Sequence, residues 1–126
     1  MPNIIPARVA RVLEQANQAA HGFAVGEAVA FSGNKFVKAK ADSFAMLAWG
    51  VVSKVIDVDN FEFIRYGKMT WPAHGLTLNA YYYVSDVTPG LLTLVPPTEA
   101  GRFQQMMMTA ITADTVSVFD YPAIEL

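Results

Sequence analysis

The chain contains no cysteine, and only two of its 126 residues are histidine. Disulfide frameworks and thiolate metal sites are therefore excluded. Charged residues are also scarce, at 16% where about a quarter is usual. Net charge is −2 with no basic excess, so no global field draws the chain to nucleic acid. No apolar run reaches the ~18 residues of a membrane-crossing helix, and no charged start followed by an apolar segment marks a secretory signal. The expectation is a soluble protein made without such a signal, with no membrane partner.

What is present in excess is apolar surface. Hydrophobic residues make up 53% of a length that suits one domain with one core. A domain this small has too much surface to hide all of that material inside itself, so assembly with other chains is expected.

Turn punctuation recurs every eight to twelve residues, as in a short-stranded all-β domain. Met1 to Pro6 holds two prolines and reads as an extended arm with an apolar tip, Ile4 and Ile5. Ala7 to Ala20 is ambiguous. Val9, Val12, Leu13, Ala16 and Ala20 have helical spacing, and Ala, Glu and Gln favour a helix, in a chain that otherwise reads as all-β. Ala28 to Phe31 and Phe36 to Ala39 flank Gly33-Asn34, a tight-turn pair because both residues tolerate positive φ.

Trp49 to Ile56 is a candidate central strand, apolar on both faces apart from Ser53 and Lys54. Asp57-Val58-Asp59-Asn60 turns the chain into a strand from Phe61 to Tyr66. Ala80 to Val84 and Leu91 to Val95 are further strands, and Phe103 to Thr112 with Thr115 to Phe119 reads as a closing hairpin. His-Gly before an apolar residue occurs at His21 and again at His74. Two copies of so short an echo do not establish a repeat.

Candidate chemistry is sparse. Both histidines precede glycine, which reads as turn formation, and no His-x-x-x-His set supplies a metal site. The Asp57 to Asn60 segment lacks the glycine and glutamate that a calcium loop needs at its sixth and twelfth positions, where Glu62 and Lys68 stand. No serine sits in a nucleophile elbow. Gly22 to Gly26 lacks the third glycine and the following helix of a phosphate loop. Lys35, Lys38 and Lys40 around Phe36 read as protection of an edge hairpin more than as a nucleic-acid patch. No enzyme and no cofactor are expected.

Tyr81-Tyr82-Tyr83 is different. Strand alternation sends Tyr82 to one face and Tyr81 with Tyr83 to the other. Met106-Met107-Met108 poses the same two-faced problem with pliable side chains, and Phe103 opens that segment. Either these residues fill a core from both sides or they form an interface. Ile4, Ile5, Tyr81, Tyr83, Phe103, Met106, Met107 and Met108 are the interface candidates.

An ordered set of motifs spans roughly Arg11 to Thr112. It comprises His21-Gly22, Val25-Gly26-Glu27, Phe36-Val37-Lys38-Ala39, Ala41-Asp42-Ser43, Gly50-Val51-Val52-Ser53 and Gly67. It continues through Gly75-Leu76-Thr77, Tyr82-Tyr83-Val84-Ser85-Asp86, Gly90-Leu91-Leu92-Thr93 and Pro97-Thr98 with Gly101. This set resembles a small β-domain that recurs in structural proteins of tailed bacteriophages, including fibre and capsid-associated proteins. The resemblance implies a compact, commonly trimeric β-domain without a cofactor, and favours a strand over about Val9 to Ala16. The extra aromatics, the methionine triplet and the ending from Phe119 to Leu126 depart from that pattern.

The fold expected is all-β: a single small antiparallel β-barrel or sandwich. It consists of an extended N-terminal arm at 1–7, a β-domain at 8–119 and a C-terminal tail at 120–126. The function expected is that of a virion protein that decorates or cements a capsid, assembled in the host cytoplasm. Its expected partners are itself, as a homotrimer, and the major capsid protein or another virion protein, with no nucleic acid. A fibre or baseplate module that binds a host surface is the alternative, and a small-ligand or enzymatic domain ranks last.

Overall fold

A computed structural model describes residues 11–126, so the arm with Ile4 and Ile5 lies outside the described residues. The regular structure of the described residues is almost entirely strand. In order, the elements are β1 (Arg11–Asn17), β2 (Ala28–Ser32), β3 (Lys35–Lys38), β4 (Gly50–Asp57), β5 (Asn60–Thr70), β6 (Tyr81–Val84) and β7 (Leu92–Thr93). They continue with β8 (Phe103–Gln104), β9 (Met106–Thr112), β10 (Thr115–Val118) and β11 (Ile124–Glu125). Among the described residues, one 3₁₀ turn covers Phe44–Met46.

Nine strands form one sheet in the order β3-β2-β4-β5-β10-β9-β6-β7, with β1 added along β5. All of its named ladders are antiparallel. The sheet folds into stacked layers and does not close into a barrel. The ambiguous N-terminal segment is a strand, β1. Pairing with β5 from Arg11↔Gly67 to Asn17↔Asn60 outweighs its helical spacing. Gly33 and Asn34 both take a φ of 64°, the left-handed pair that a two-residue hairpin with right-handed strand twist requires.

Two of the sequence-based expectations need correction. β4 does lie between β2 and β5, but only its first half is buried. Pairing with β2 stops at Val51, so Val55 and Ile56 project past the stacked layers into solvent. The C-terminal segment is not a free tail either. Ile124 and Glu125 pair with Gln104 and Phe103, and Leu126 exchanges backbone hydrogen bonds with Gly101 and Arg102.

The strand order reads as one motif used twice. β1, β2, β3, β4 and the first half of β5 make a unit in which β3-β2-β4-β5 are neighbours and β1 flanks β5. The second half of β5, with β6, β7, β9 and β10, repeats those neighbours as β7-β6-β9-β10, and β5 now flanks β10. β5 therefore serves both units, as the last strand of one and the first of the next. Gly67, paired with Arg11 on one side and Val118 on the other, marks the handover.

Packing follows from the two faces of each unit. In the first unit, Val29, Val52, Phe61 and Phe63 form one small core, closed by Phe23 and Phe36. The opposite face, carrying Ala28, Ala30, Val51 and Ile64, belongs to a larger core. That core also holds Met69, Tyr82, Met108, Ala110, Val116 and Val118 of the second unit. The first unit thus lies as a lid across the inner face of the second. Small side chains at Ala28, Ala30, Ala39 and Ala41, all fully buried, let the layers approach.

Gln105 fastens the junction. Its buried side-chain amide accepts from the Ala48 N–H at 2.7 Å and donates to the Ala48 carbonyl at 2.9 Å. Both of its polar ends are satisfied, as a buried amide requires.

Candidate functional site

The histidines are the first residues to place. His21 Nδ1 accepts the N–H of Phe23 at 3.0 Å, and its Nε2 contacts the Asp57 carbonyl at 2.8 Å. One proton, on Nε2, satisfies both contacts. His74 repeats this with the Leu76 N–H at 2.9 Å and the Thr112 carbonyl at 2.6 Å. The residue before each histidine, Ala20 or Ala73, takes a positive φ and donates its N–H to Asp59 or Asp114. The carbonyls of the same aspartates accept from Gln18 and Trp71.

Each Ala-His-Gly is therefore a latch that holds a crossover loop onto the hairpin of its own unit. The His-Gly echo in the sequence is a duplicated structural device. Its signal was present in the paired Ala-His-Gly and in the aspartates at 59 and 114, but the intervening strands share too few residues to expose it.

Asp57 belongs to the first latch's hairpin. It accepts from the Asp59 N–H at 2.9 Å and from the Asn60 amide at 2.9 and 3.1 Å. The Asp59 N–H first, then Asn60, hold its carboxyl below the ordinary 3.8. A lowered carboxylate stabilises the fold above its unfolded-state value, and that contribution disappears as pH falls through the folded value. Local loosening of the 57–60 turn is expected below about pH 4, with no change between neutrality and pH 5. Amide exchange at Asp59 followed by NMR against pH checks this, and Asp57→Asn should abolish the dependence.

The segment Asp57 to Asn60 is thus a hydrogen-bonded hairpin turn. Lys38 pairs with Glu27 at 3.1 Å on β3, the strand at one end of the sheet. Among the described residues, no three His, Asp or Glu side chains are grouped as metal ligands would be.

The interface candidates divide sharply. Phe103, Met107 and Met108 are 8%, 2% and 0% exposed, so they are core residues of this chain and not contact residues. The reason is visible in the ladders. Met108 faces Tyr82 and Val118 from the adjacent strands, and all three point into the larger core. A register shift between Tyr82 and Tyr83 leaves Met107 buried as well. Phe103 is pinned between β11 and the Ala41 carbonyl.

Tyr81 remains 53% exposed, and Tyr83 and Met106 are half-buried. Tyr82 is buried, and its hydroxyl accepts the Thr77 N–H at 2.9 Å.

The structure adds residues that the sequence reading did not select. Phe119 lies 6.3 Å from Tyr81 and stacks on Tyr121 at 5.1 Å, with their planes 8° apart. On the first unit, Phe31 and Trp49 are partly exposed, and the Arg65 guanidinium lies 5.0 Å from the Trp49 ring centre. These last residues, with Phe44 and Asp120, line an open groove of about 350 Å³. Another groove of about 300 Å³, mainly apolar, lies between Gly26, Trp71, Leu76 and Leu91.

What these features offer is contact surface: aromatic rings on the strands and on the segments that flank them, with the histidines and Gln105 hydrogen-bonded internally. No protein family, curated protein or solved structure matches the chain.

Proposed function

We propose that this chain is a structural protein of a phage virion, a capsid decoration or cement protein that acts through subunit contacts. The observation that carries the reading is the aromatic cluster of Tyr81 on β6 with Phe119 and Tyr121 just after β10, in which Tyr81 and Tyr121 are exposed and Phe119 is half-buried, on a small scaffold with two filled cores. The ordered resemblance to β-domains of tailed-phage structural proteins supports the same reading, as does the apolar excess of the composition. Many copies, each burying modest apolar area, reinforce a shell at about 25 cal/mol per Å² gross, offset in part by ordering costs. In this reading the chain associates as a homotrimer, and the major capsid protein or another virion protein is its partner.

Co-sedimentation of the purified chain with shells that lack it tests the proposal. Saturable binding is expected, and shells that pellet alone overturn it. Removing residues 1–6 should weaken attachment while the melting temperature of the remainder is preserved.

A fibre or baseplate module that binds a host surface is the second reading. Its supporting observation is the groove where Trp49 and Phe31 lie beside Arg65 and Asp120, which mixes apolar rings with charged groups. Glycan-array binding that is lost in Trp49→Ala but kept without residues 1–6 would favour it.

A further inference from the structure

The groove beside Trp49 has an anchored floor. Ala48 is held at both its N–H and its carbonyl by the buried Gln105 amide, at 2.7 and 2.9 Å. The Leu47 N–H bonds to the Phe44 carbonyl at 3.3 Å, and the Trp49 N–H to the Val29 carbonyl at 2.7 Å. The 44–49 segment is therefore tied to both units before anything binds, which lowers the ordering cost of a ligand.

The rings differ in how much contact they have left to offer. The Arg65 guanidinium lies 5.0 Å from the Trp49 ring centre, and Phe31 packs against Trp49 at 5.4 Å. Phe44 is 80% exposed, and among the described residues its only ring neighbour is Phe103 at 6.5 Å. An open aromatic face thus stands at the groove.

The charges are the selective part. Arg65 lines the groove and reaches Glu14 at 3.7 Å. Asp120 lines it as well, between Phe119 and Tyr121, whose rings stack on each other. No ion pair joins Asp120 to Arg65, and among the described residues Asp120 has no ion pair at all. The groove presents an acceptor-only carboxylate and a donor-only guanidinium that do not neutralise each other.

We propose that this groove binds a neutral sugar, one hexose unit of a glycan. This rests on the host-surface reading above and names the ligand class of its groove. A pyranose offers an apolar C–H face to Phe44 and a rim of hydroxyls to the charged groups. Each hydroxyl both donates and accepts, so one can donate to Asp120 while another accepts an N–H from Arg65. An anionic ligand meets Asp120 as a like charge, and a cationic one meets Arg65. An apolar side chain would strip water from both charges without replacing its hydrogen bonds. A volume of about 350 Å³ lies at the small end of ligand clefts, as one sugar unit requires.

The test is an NMR titration of the full chain with the methyl glycosides of glucose, galactose and mannose, following the indole N–H signals. Trp71 lines the other groove and serves as the internal control. At least one hexoside should shift the Trp49 signal saturably and leave that of Trp71 in place. Its uronic acid and amino-sugar counterparts should bind about tenfold more weakly, the effect of one like charge. Phe44→Ala should weaken the hexoside by about tenfold through loss of the ring contact. Asp120→Asn should weaken the hexoside and remove the penalty on the uronic acid, a change of preference that a purely structural residue would not produce. Phe44 and Asp120 are exposed, so both variants should melt as the wild type does.

No saturable shift with any of the three hexosides overturns the proposal. Tighter binding of the charged counterparts does the same, as does an Asp120→Asn variant whose preference is unchanged. Should Phe44→Ala melt early, Asp120→Asn alone carries the test. Adhesion to isolated bacterial envelopes separates this site from the reading it rests on. Hexoside binding without adhesion keeps the site and overturns the host-surface reading. Adhesion by a chain that ignores every hexoside does the reverse.

Discussion

Replacing Phe61 with alanine should cost about 3–5 kcal/mol of stability, the scale of an aromatic deleted from a close-packed core. Phe61 is fully buried in the small core of the first unit. Its ring lies 5.0 Å from those of Phe23 and His21, and 5.6 and 6.1 Å from Phe36 and Phe63. So few residues make up this core that its neighbours cannot close the hole without moving the His21 loop. Typical domains hold only ~5–15 kcal/mol in total, so the loss is a large fraction of it.

Val116 occupies the equivalent place in the second unit, opposite Met69 as Phe61 is opposite Ala16. Val116→Ala removes less and should cost about 2 kcal/mol. Urea unfolding of both variants gives the comparison. A Phe61→Ala cost below that of Val116→Ala would show that the first core is not packed as described.

Gly26→Ala is the second large effect. Gly26 has a φ of +91°, and a Cβ there would sit 2.1 Å from Cη2 of Trp71. The strain of the backbone and the collision with the ring add to about 2–4 kcal/mol. The Trp71 ring is held in turn, because its backbone N–H is bonded to the Asp114 carbonyl at 2.8 Å. Gly75→Ala separates the two causes, since Gly75 has a φ of +71° but nothing within 4 Å of the added carbon. It should cost only about 1 kcal/mol. Thermal melts of the two variants measure the difference, and equal losses would mean that Trp71 is not seated on Gly26.

The local rules were the most legible part of the sequence. Gly33-Asn34 announced its hairpin because positive φ at two successive residues has a short list of suitable side chains. Asp57 to Asn60 announced its turn through side chains that bond their own backbone. Tyr81, Tyr82 and Tyr83 divided between faces as alternation requires.

The duplication was not legible, because backbone ladders and two latches carry it while the core residues differ. Phe61 and Val116 fill equivalent places with different volumes. Tertiary layering, not local pattern, buried Met107, Met108 and Phe103, and a sequence shows an apolar residue without showing which layer covers it. The same ignorance hid Phe119, which ends the segment read as the last strand, and Tyr121, which lies in the segment read as a tail.

In the proposed reading the chain acts through its surface. The histidines are spent on latches, Gln105 on the junction between units, and the uncommitted groups are rings on an open face. The measurement that tests this most directly is an image reconstruction of shells incubated with the purified chain. The account predicts regularly repeated density of this domain's size on the shell exterior. Bare shells, or density confined to the tail, would contradict it.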